Sequence, residues 1–400
     1  MGSGDPSSPQ RNVRVGLGFG SADLNAIPQS WVNISLPKTV EAIGLANLAN
    51  HAAENLWSKH DTKNVFGDAS QGWHAANVYS AIALNDRLVQ PSDRDKHALM
   101  IMNALPELST TMPFLNSFND DALWWAHASL DAAETYSPGN QTMINLATTV
   151  YNTIRDRSQI QSSWYAKPPF WKTALPNSAC NLTGGVFWQE QSAWAGVPSI
   201  ATTLFVRLGA RLYSITKQDG YLHSAQDADK FIKTWTLGQE GIVFDGYNWT
   251  SCVLDRAPYS YNQGVYIASQ LDLHKATGDK TYLRAAEAAG LAGMKHAPWV
   301  NPEGQITEVK GINSHIDGSN FRSIWIRHLR TLYEVTDDVP LRDLIRAFVT
   351  VNFNLLLTAG DLDKGAYSQD WFGGYNEKTT EWGQCSAVDV LTAAYTVNTS

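Results

Sequence analysis

The segment Phe118 to Glu134, FNDDALWWAHASLDAAE, sets two carboxylates side by side at Asp120 and Asp121. Adjacent acids repel, and the repulsion raises one pKa relative to the other. A split of that kind equips a pair for acid/base work, in which one group holds a proton while its neighbour is ionised. Asn119 and Asp120 are natural N-cap residues, so a helix is predicted to start there with both acids in or beside its first turn. Capping needs one acid, and the second exceeds that need. Asp120, Trp124, His127 and Asp131 follow at i, i+4, i+7 and i+11 along one helix face, with Asp121 and Trp125 about one residue round. Two acids, a histidine and a tryptophan suit that face poorly for a dry core. His127 by itself reads as a hydrogen-bonded structural residue.

Cleavage of a glycosidic bond needs two carboxyls flanking it and aromatic faces against the apolar sides of the sugar rings. The chain has 15 Trp, and they cluster near Gly and polar residues in GGVFWQEQSAW (Gly184 to Trp194), DGYNW (Asp245 to Trp249) and DWFGG (Asp370 to Gly374). The clustering, rather than any single Trp, points to a carbohydrate groove. YSYNQG, Tyr259 to Gly264, adds several hydrogen-bonding groups fit for sugar hydroxyls, although Asn262 also suits a plain helix cap. No GxGxxG before a helix, P-loop, HExxH or GxSxG occurs, and the 10 His are dispersed, so neither a nucleotide nor a metal cofactor is expected. With 38 acidic against 30 basic residues, a net charge of -8 and no basic stripe, nucleic acid is excluded as a partner.

These residues need a scaffold, and the periodicity is helical from Lys38 onward. Ile200, Leu204, Leu208 and Leu212 recur every four residues on one helix face. Strand alternation is scarce apart from short segments such as Ile242 to Phe244, so the class is all-α. Three stretches superpose: LYSITKQDGYLHSA ending at Ala225, LHKATGDKTYLRAA ending at Ala286, and LYEVTDDVPLRDLI ending at Ile345. Each reads helix, turn, helix, and the turn threonines Thr216, Thr277 and Thr336 stand 61 and 59 residues apart. A weaker echo surrounds Ser137 to Asn140. Around six such hairpins would use the chain and close into an (α/α)6 toroid with a cavity lined by inner helices. An open solenoid competes, but the connections differ in length and are rich in Trp, Gly and Pro, which favours closure. Residues 1–36 form a tail or lead-in, and 37–400 form one catalytic domain.

With 44% hydrophobic and 17% charged residues the chain has material for a large core. No apolar run approaches membrane-spanning length, and the start MGSGDPSSPQ lacks the basic and hydrophobic regions of a secretion signal, as if a leader had been replaced. Cys180, Cys252 and Cys385 are too few and scattered for a disulfide framework, which leaves room for one bridge and one thiol. Sequons begin at Asn33, Asn140, Asn181, Asn248 and Asn398, close to the number that about 26 Asn give by chance, so they do not establish secretion.

NDDALWW, GGVFWQ, VFDG and YSYNQG occur here in the order found in glycoside hydrolase family 76, which this chain resembles from about Thr39 to Tyr395, through ATGDKTYLRAA and NFRSIWIRHLRTLYE. The resemblance implies the (α/α)6 fold and retaining cleavage of α-1,6-mannosidic linkages, with Asp120 as nucleophile and Asp121 as acid/base. It also implies groove roles for Trp124, Trp125, Trp188, Asp245, Tyr261, Asn262 and Gln263. The expected partner is an oligo- or polysaccharide of the α-mannan type, met by a monomer that is secreted or cell-wall associated, with a cytoplasmic place as the alternative. Cys252 after the Asp-Gly is similar to fungal members. The chain departs from the family at Ala195 to Pro198, at Thr202 where Asn is usual, and at Phe321-Arg322-Ser323 in place of Phe-Lys-Gly. Those changes leave open a shifted specificity, such as a GPI-glycan transglycosylase or a small-molecule glycoside enzyme. A non-catalytic carbohydrate-binding protein is a further alternative, but it would have no chemical need for the paired acids.

Overall fold

The computed structural model describes residues 27–60, 66, 72–89, 95–111, 118–308, 318 and 320–399, apart from Asn33, Ser192 and Lys378. Most of the expected lead-in over residues 1–36, and the sequon at Asn33, lie outside them. After the short α1 (Lys38–Ile43), helices alternate between two rings, beginning with α2 (Leu45–Trp57), α3 (Trp73–Leu88), α4 (Asp95–Thr111), α5 (Asn119–Tyr136) and α6 (Gln141–Arg157). They continue through α7 (Ser199–Thr216), α8 (Asp219–Phe231), α9 (Ser260–Thr277), α10 (Lys280–Met294), α11 (Phe321–Val335), α12 (Val339–Thr358) and α13 (Glu381–Thr399).

The odd-numbered helices from α3 to α13 form an inner ring, each packed on the next, and α13 returns to pack on α3. The ring is therefore closed, as expected for an (α/α)6 toroid, and no open solenoid fits. Five of the outer helices follow their inner partner in sequence. The sixth, α2, comes from the N-terminal side and lies against α13, so distant parts of the chain complete the last hairpin. Gln384 Nε2 seals that junction by donating to Ala52 O at 3.0 Å.

Turn chemistry explains why the repeat is visible in sequence. Thr216 and Thr277 each donate their hydroxyl to the carbonyl four residues back, at 2.8 and 2.7 Å, and accept the amide two residues on, at 3.3 and 3.1 Å. Thr336 accepts the Asp338 amide at 3.2 Å in the same way but donates to Glu287 instead. One hydroxyl thus ends the inner helix and shapes the entry to the outer one. The fainter echo is real too: α5 ends at Tyr136 and Asn140 caps α6 by accepting the Met143 amide at 3.2 Å.

Ile200, Leu204, Leu208 and Leu212 are all buried in α7, each contributing about 1.5–3 kcal/mol over exposure. Gly264 explains the last letter of YSYNQG, because a Cβ there would sit 2.7 Å from Trp325 Cα, so its absence lets α9 and α11 approach. Strands are few: β1 (Gly196–Pro198), β2 (Gly246–Asn248) and β3 (Leu254–Asp255) make one antiparallel sheet, and β4 (Gly360–Asp361) pairs with β5 (Ala366–Tyr367). The alternating segment Ile242 to Phe244 supplies only a bridge from Val243 to Leu237, and the strand begins at Gly246, four residues after the start of the pattern. A disulfide joins Cys180 to Cys252, and Cys385 is a buried thiol. No helix among the described residues is long and apolar enough to cross a membrane.

Candidate active site

Each inner helix is reached by way of an outer one that returns the chain, so the N-terminal ends of the inner ring gather at one mouth. Aromatic residues at the first or second helical position meet there. Trp73 of α3 lies 6.0 Å from Trp124 of α5, 6.3 Å from Tyr261 of α9 and 5.9 Å from Phe321 of α11, and Tyr261 stacks on Phe321 at 3.9 Å. Beside Trp73, His74 packs 3.5 Å from the Trp382 ring of α13. Asp120, Asp121, Trp73, Trp188, Asp245, Tyr261 and Phe321 are all partly exposed at this mouth.

Helix α5 starts one residue earlier than the capping expectation. Phe118 is the N-cap and makes no side-chain cap, which puts Asp120 and Asp121 at the second and third helical positions. Asn119 is spent elsewhere: its amide nitrogen donates to Phe187 O at 2.8 Å and its backbone N–H to Trp188 O at 2.8 Å. These bonds tie the helix start to the GGVFW segment and bring the Trp188 indole N–H to Asp120 Oδ2 at 3.1 Å. Asp120 Oδ1 is buried and has no hydrogen-bond partner. Burial first, and the Asp121 charge second, push the Asp120 carboxyl up to about 8, against the pull of the nearby amides and the Trp188 donor. The pair therefore retains a proton at neutral pH.

Asp245 faces the same space. Its Oδ1 accepts from Asn262 Nδ2 at 3.2 Å, and burial raises it to about 6. The Tyr261 phenol is held well above its usual range by burial, then by the charges of Asp245 and Asp120. Asn262 is itself fully buried and backs Asp245 from behind.

Two expected groove residues lie elsewhere. Gln263 is fully buried: its oxygen accepts from Val243 N at 3.0 Å, while its nitrogen donates to Gly241 O and Ala289 O, both at 2.8 Å. It braces the loop before α9. Trp125 is buried against Tyr79 at 5.8 Å, packing α5 on α3. Trp124 is likewise covered, by Trp73. The shared face of α5 also divides by depth. Asp120 serves the mouth and Trp124 backs Trp73 beneath it, whereas His127 and Asp131 lie in a charged interior. There His127 bonds Leu204 O and Arg211, and Asp131 pairs with Arg211 at 2.9 Å and accepts from Ser80 at 2.8 Å. His127 is thus structural. Trp73 and Phe321 were missed as lining residues, and Trp382 as the buried ring behind His74, although their common register at inner-helix starts was a usable signal. A separate concavity of about 340 Å³ on the outer wall, between α6 and α8, is lined by Arg155, Gln159, Trp164 and Asp227 and does not adjoin the acids.

Paired, unequal carboxyls under a rim of flat aromatic rings are the equipment of a glycosidase. The chain belongs to glycosyl hydrolase family 76, which it matches over residues 44–399. No curated protein sequence matches it. Its fold is similar to that of an α-1,6-mannanase of Salegentibacter sp. HEL1_6, solved with α-1,6-mannotriose as an inactive variant whose two consecutive aspartates are asparagines. That likeness has 16% identity, covers 88% of this chain and 100% of that one, and has a TM-score of 0.75. The Lin0763 protein of Listeria innocua is similar at 20% identity, with 89% and 98% covered and a TM-score of 0.72. Dfg5 from Chaetomium thermophilum, solved with glucosamine, is similar at 15%, with 89% and 91% covered and a TM-score of 0.70. At these identities the likeness is one of fold.

Proposed function

We propose that this glycoside hydrolase is a retaining enzyme that cleaves α-1,6-mannosidic linkages within mannan or cell-wall glycans. The observation that carries the reading is the Asp120-Asp121 pair at the mouth, with one Asp120 oxygen held by the Trp188 indole. The Asp120 carboxylate attacks the anomeric carbon as the bond from that carbon to the leaving oxygen breaks, and Asp121 gives that oxygen its proton. Water then loses a proton to Asp121 and displaces Asp120, restoring both groups. Burial and the Asp121 charge favour the proton on Asp120 in the free enzyme, while the Trp188 N–H and nearby amides oppose that, so the reactive state forms as the proton passes to Asp121 beside the leaving oxygen. Trp73, Tyr261 and Phe321 face the sugar rings, and Asp245 accepts from a hydroxyl. Substrate class draws support from the Salegentibacter relative, whose inactive form lacks two consecutive aspartates and holds an α-1,6-mannooligosaccharide. The Cys180 to Cys252 bridge fits a secreted or cell-wall place.

The test is proton NMR of the first reducing ends released from linear α-1,6-mannan. An α product before mutarotation is expected, and Asp120→Asn and Asp121→Asn should each lower turnover at least about a thousandfold while circular dichroism stays unchanged. A β product, or near-normal turnover by either folded variant, would sink the assignment. A second reading, transfer of a glycan containing an amino sugar, is favoured by the glucosamine held by the Chaetomium relative and by the extra acid Asp245. Mass analysis with amino-sugar acceptors present separates transfer from hydrolysis.

A further inference from the structure

We propose that Trp194 is the stacking platform of a second sugar subsite, one unit out from the catalytic pair along the bound chain; the inference rests on the glycan-cleaving reading above. Aromatic rings form a short ladder leading away from Asp120. Trp188 donates to Asp120 Oδ2 at 3.1 Å, and the Trp194 ring stands perpendicular to Trp188 with centroids 5.3 Å apart. Phe118 flanks Trp188 at 5.0 Å and fixes its plane. The step from Trp188 to Trp194 is comparable with the advance of a glycan by one sugar.

Of the 15 tryptophans Trp194 alone is strongly exposed, at 41%. A large ring left in water forfeits burial that its fourteen counterparts gain, and such exposure beside a site calls for an occupant. The turn that carries it is nevertheless braced. Trp188 N donates to Gly196 O at 2.9 Å and Trp249 N to Ala195 O at 2.7 Å, closing the turn at its base, while Trp194 N donates to Gln191 O at 3.1 Å. Lys172, buried with its ammonium 3.7 Å over the Phe187 ring, also donates to Gln191 O at 3.1 Å. Four hydrogen bonds thus hold the backbone around Trp194, and the perpendicular contact with Trp188 steadies the ring, as a preorganised platform requires. Indole offers a flat apolar face and no charge, which suits the C–H face of a neutral hexopyranose. The occupant is the next sugar of the same chain that Asp120 and Asp121 cut.

Purified wild type, Trp194→Ala and Trp194→Phe are assayed on α-1,6-mannooligosaccharides of two to six units. For wild type, kcat/KM should rise with length and then level off. Trp194→Ala should lower the plateau about tenfold while leaving the shortest cleaved substrate unchanged, and Trp194→Phe should keep most of the gain. Equal loss at every length would mean that Trp194 only supports Trp188, and no loss at any length would mean that sugar does not reach it; either result overturns the subsite. Wild type that cleaves no member of the series overturns the mannanase reading, and this inference with it.

Discussion

Asp120 carries an electrostatic burden that burial imposes and Asp121 enlarges, and only the Trp188 N–H and nearby amides relieve it. Such a burden has a consequence for stability as well as for catalysis. An unfolded aspartate titrates near 3.8, whereas the folded group titrates near about 8, so between those values the native state binds a proton that the unfolded state has lost. The contribution to stability is fully present below the lower value and drains away as pH rises toward the upper one. Asp120→Asn removes the ionisable group and keeps the shape. It should therefore be more stable than wild type at pH 8.5 by on the order of a few kcal/mol, seen as a higher Tm, and the gap should close near pH 4. Thermal unfolding by circular dichroism at the two pH values checks this. A variant less stable than its parent at pH 8.5 would show that the ionised form is well solvated. A residue this costly to the fold is one that function retains.

At the scale of the element, what could be read in sequence was what local chemistry controls. Adjacent acids, the threonine turns and the leucine stripe of α7 each announce themselves within a few residues. The fate of Trp125 and Gln263 was not legible, because residue type does not tell which flank of an inner helix meets a neighbour and which meets the mouth. Gln263 points to backbone groups of the preceding loop and of α10, contacts that only the assembled ring creates. Trp73, Phe321 and Trp382 emerge only once the helix starts are aligned. Gly264 shows the same dependence on assembly and yields a prediction. Its missing Cβ would lie 2.7 Å from Trp325 Cα and 3.1 Å from Ile324 O, and backbone cannot step aside as a side chain can. Gly264→Ala should force α9 and α11 apart at a cost of about 1–3 kcal/mol. The same two helices hold the Tyr261 and Phe321 stack at 3.9 Å, so KM should rise together with the fall in Tm. An unchanged Tm would mean that the helices have slack at this contact.

For the molecule as a whole, the decisive feature is that the ring closes between helices far apart in sequence, and that a buried charge cluster sits at the seam. Arg327 of α11 grips Asp389 of α13 through Nε and Nη2 at 2.7 and 2.8 Å, and its Nη1 donates to Asn77 of α3 at 2.8 Å. One guanidinium thus joins three inner helices, including the two that must meet for closure. Burial disfavours both charges, and their pairing offsets much of that cost. Arg327→Met should strand the Asp389 carboxylate and destabilise by about 3–5 kcal/mol, and Asp389→Leu should strand the guanidinium with similar effect. Removing both charges leaves neither unpaired, so the double variant should be more stable than the sum of the two losses allows, by about 2 kcal/mol or more. Denaturant unfolding of the four proteins measures that coupling. Simple additivity would mean that the two groups act independently and that closure rests on apolar packing alone. Because the aromatic mouth is drawn from the same inner helices, the single variants should also lose activity at temperatures where their backbone signal is still native, and the double variant should regain it.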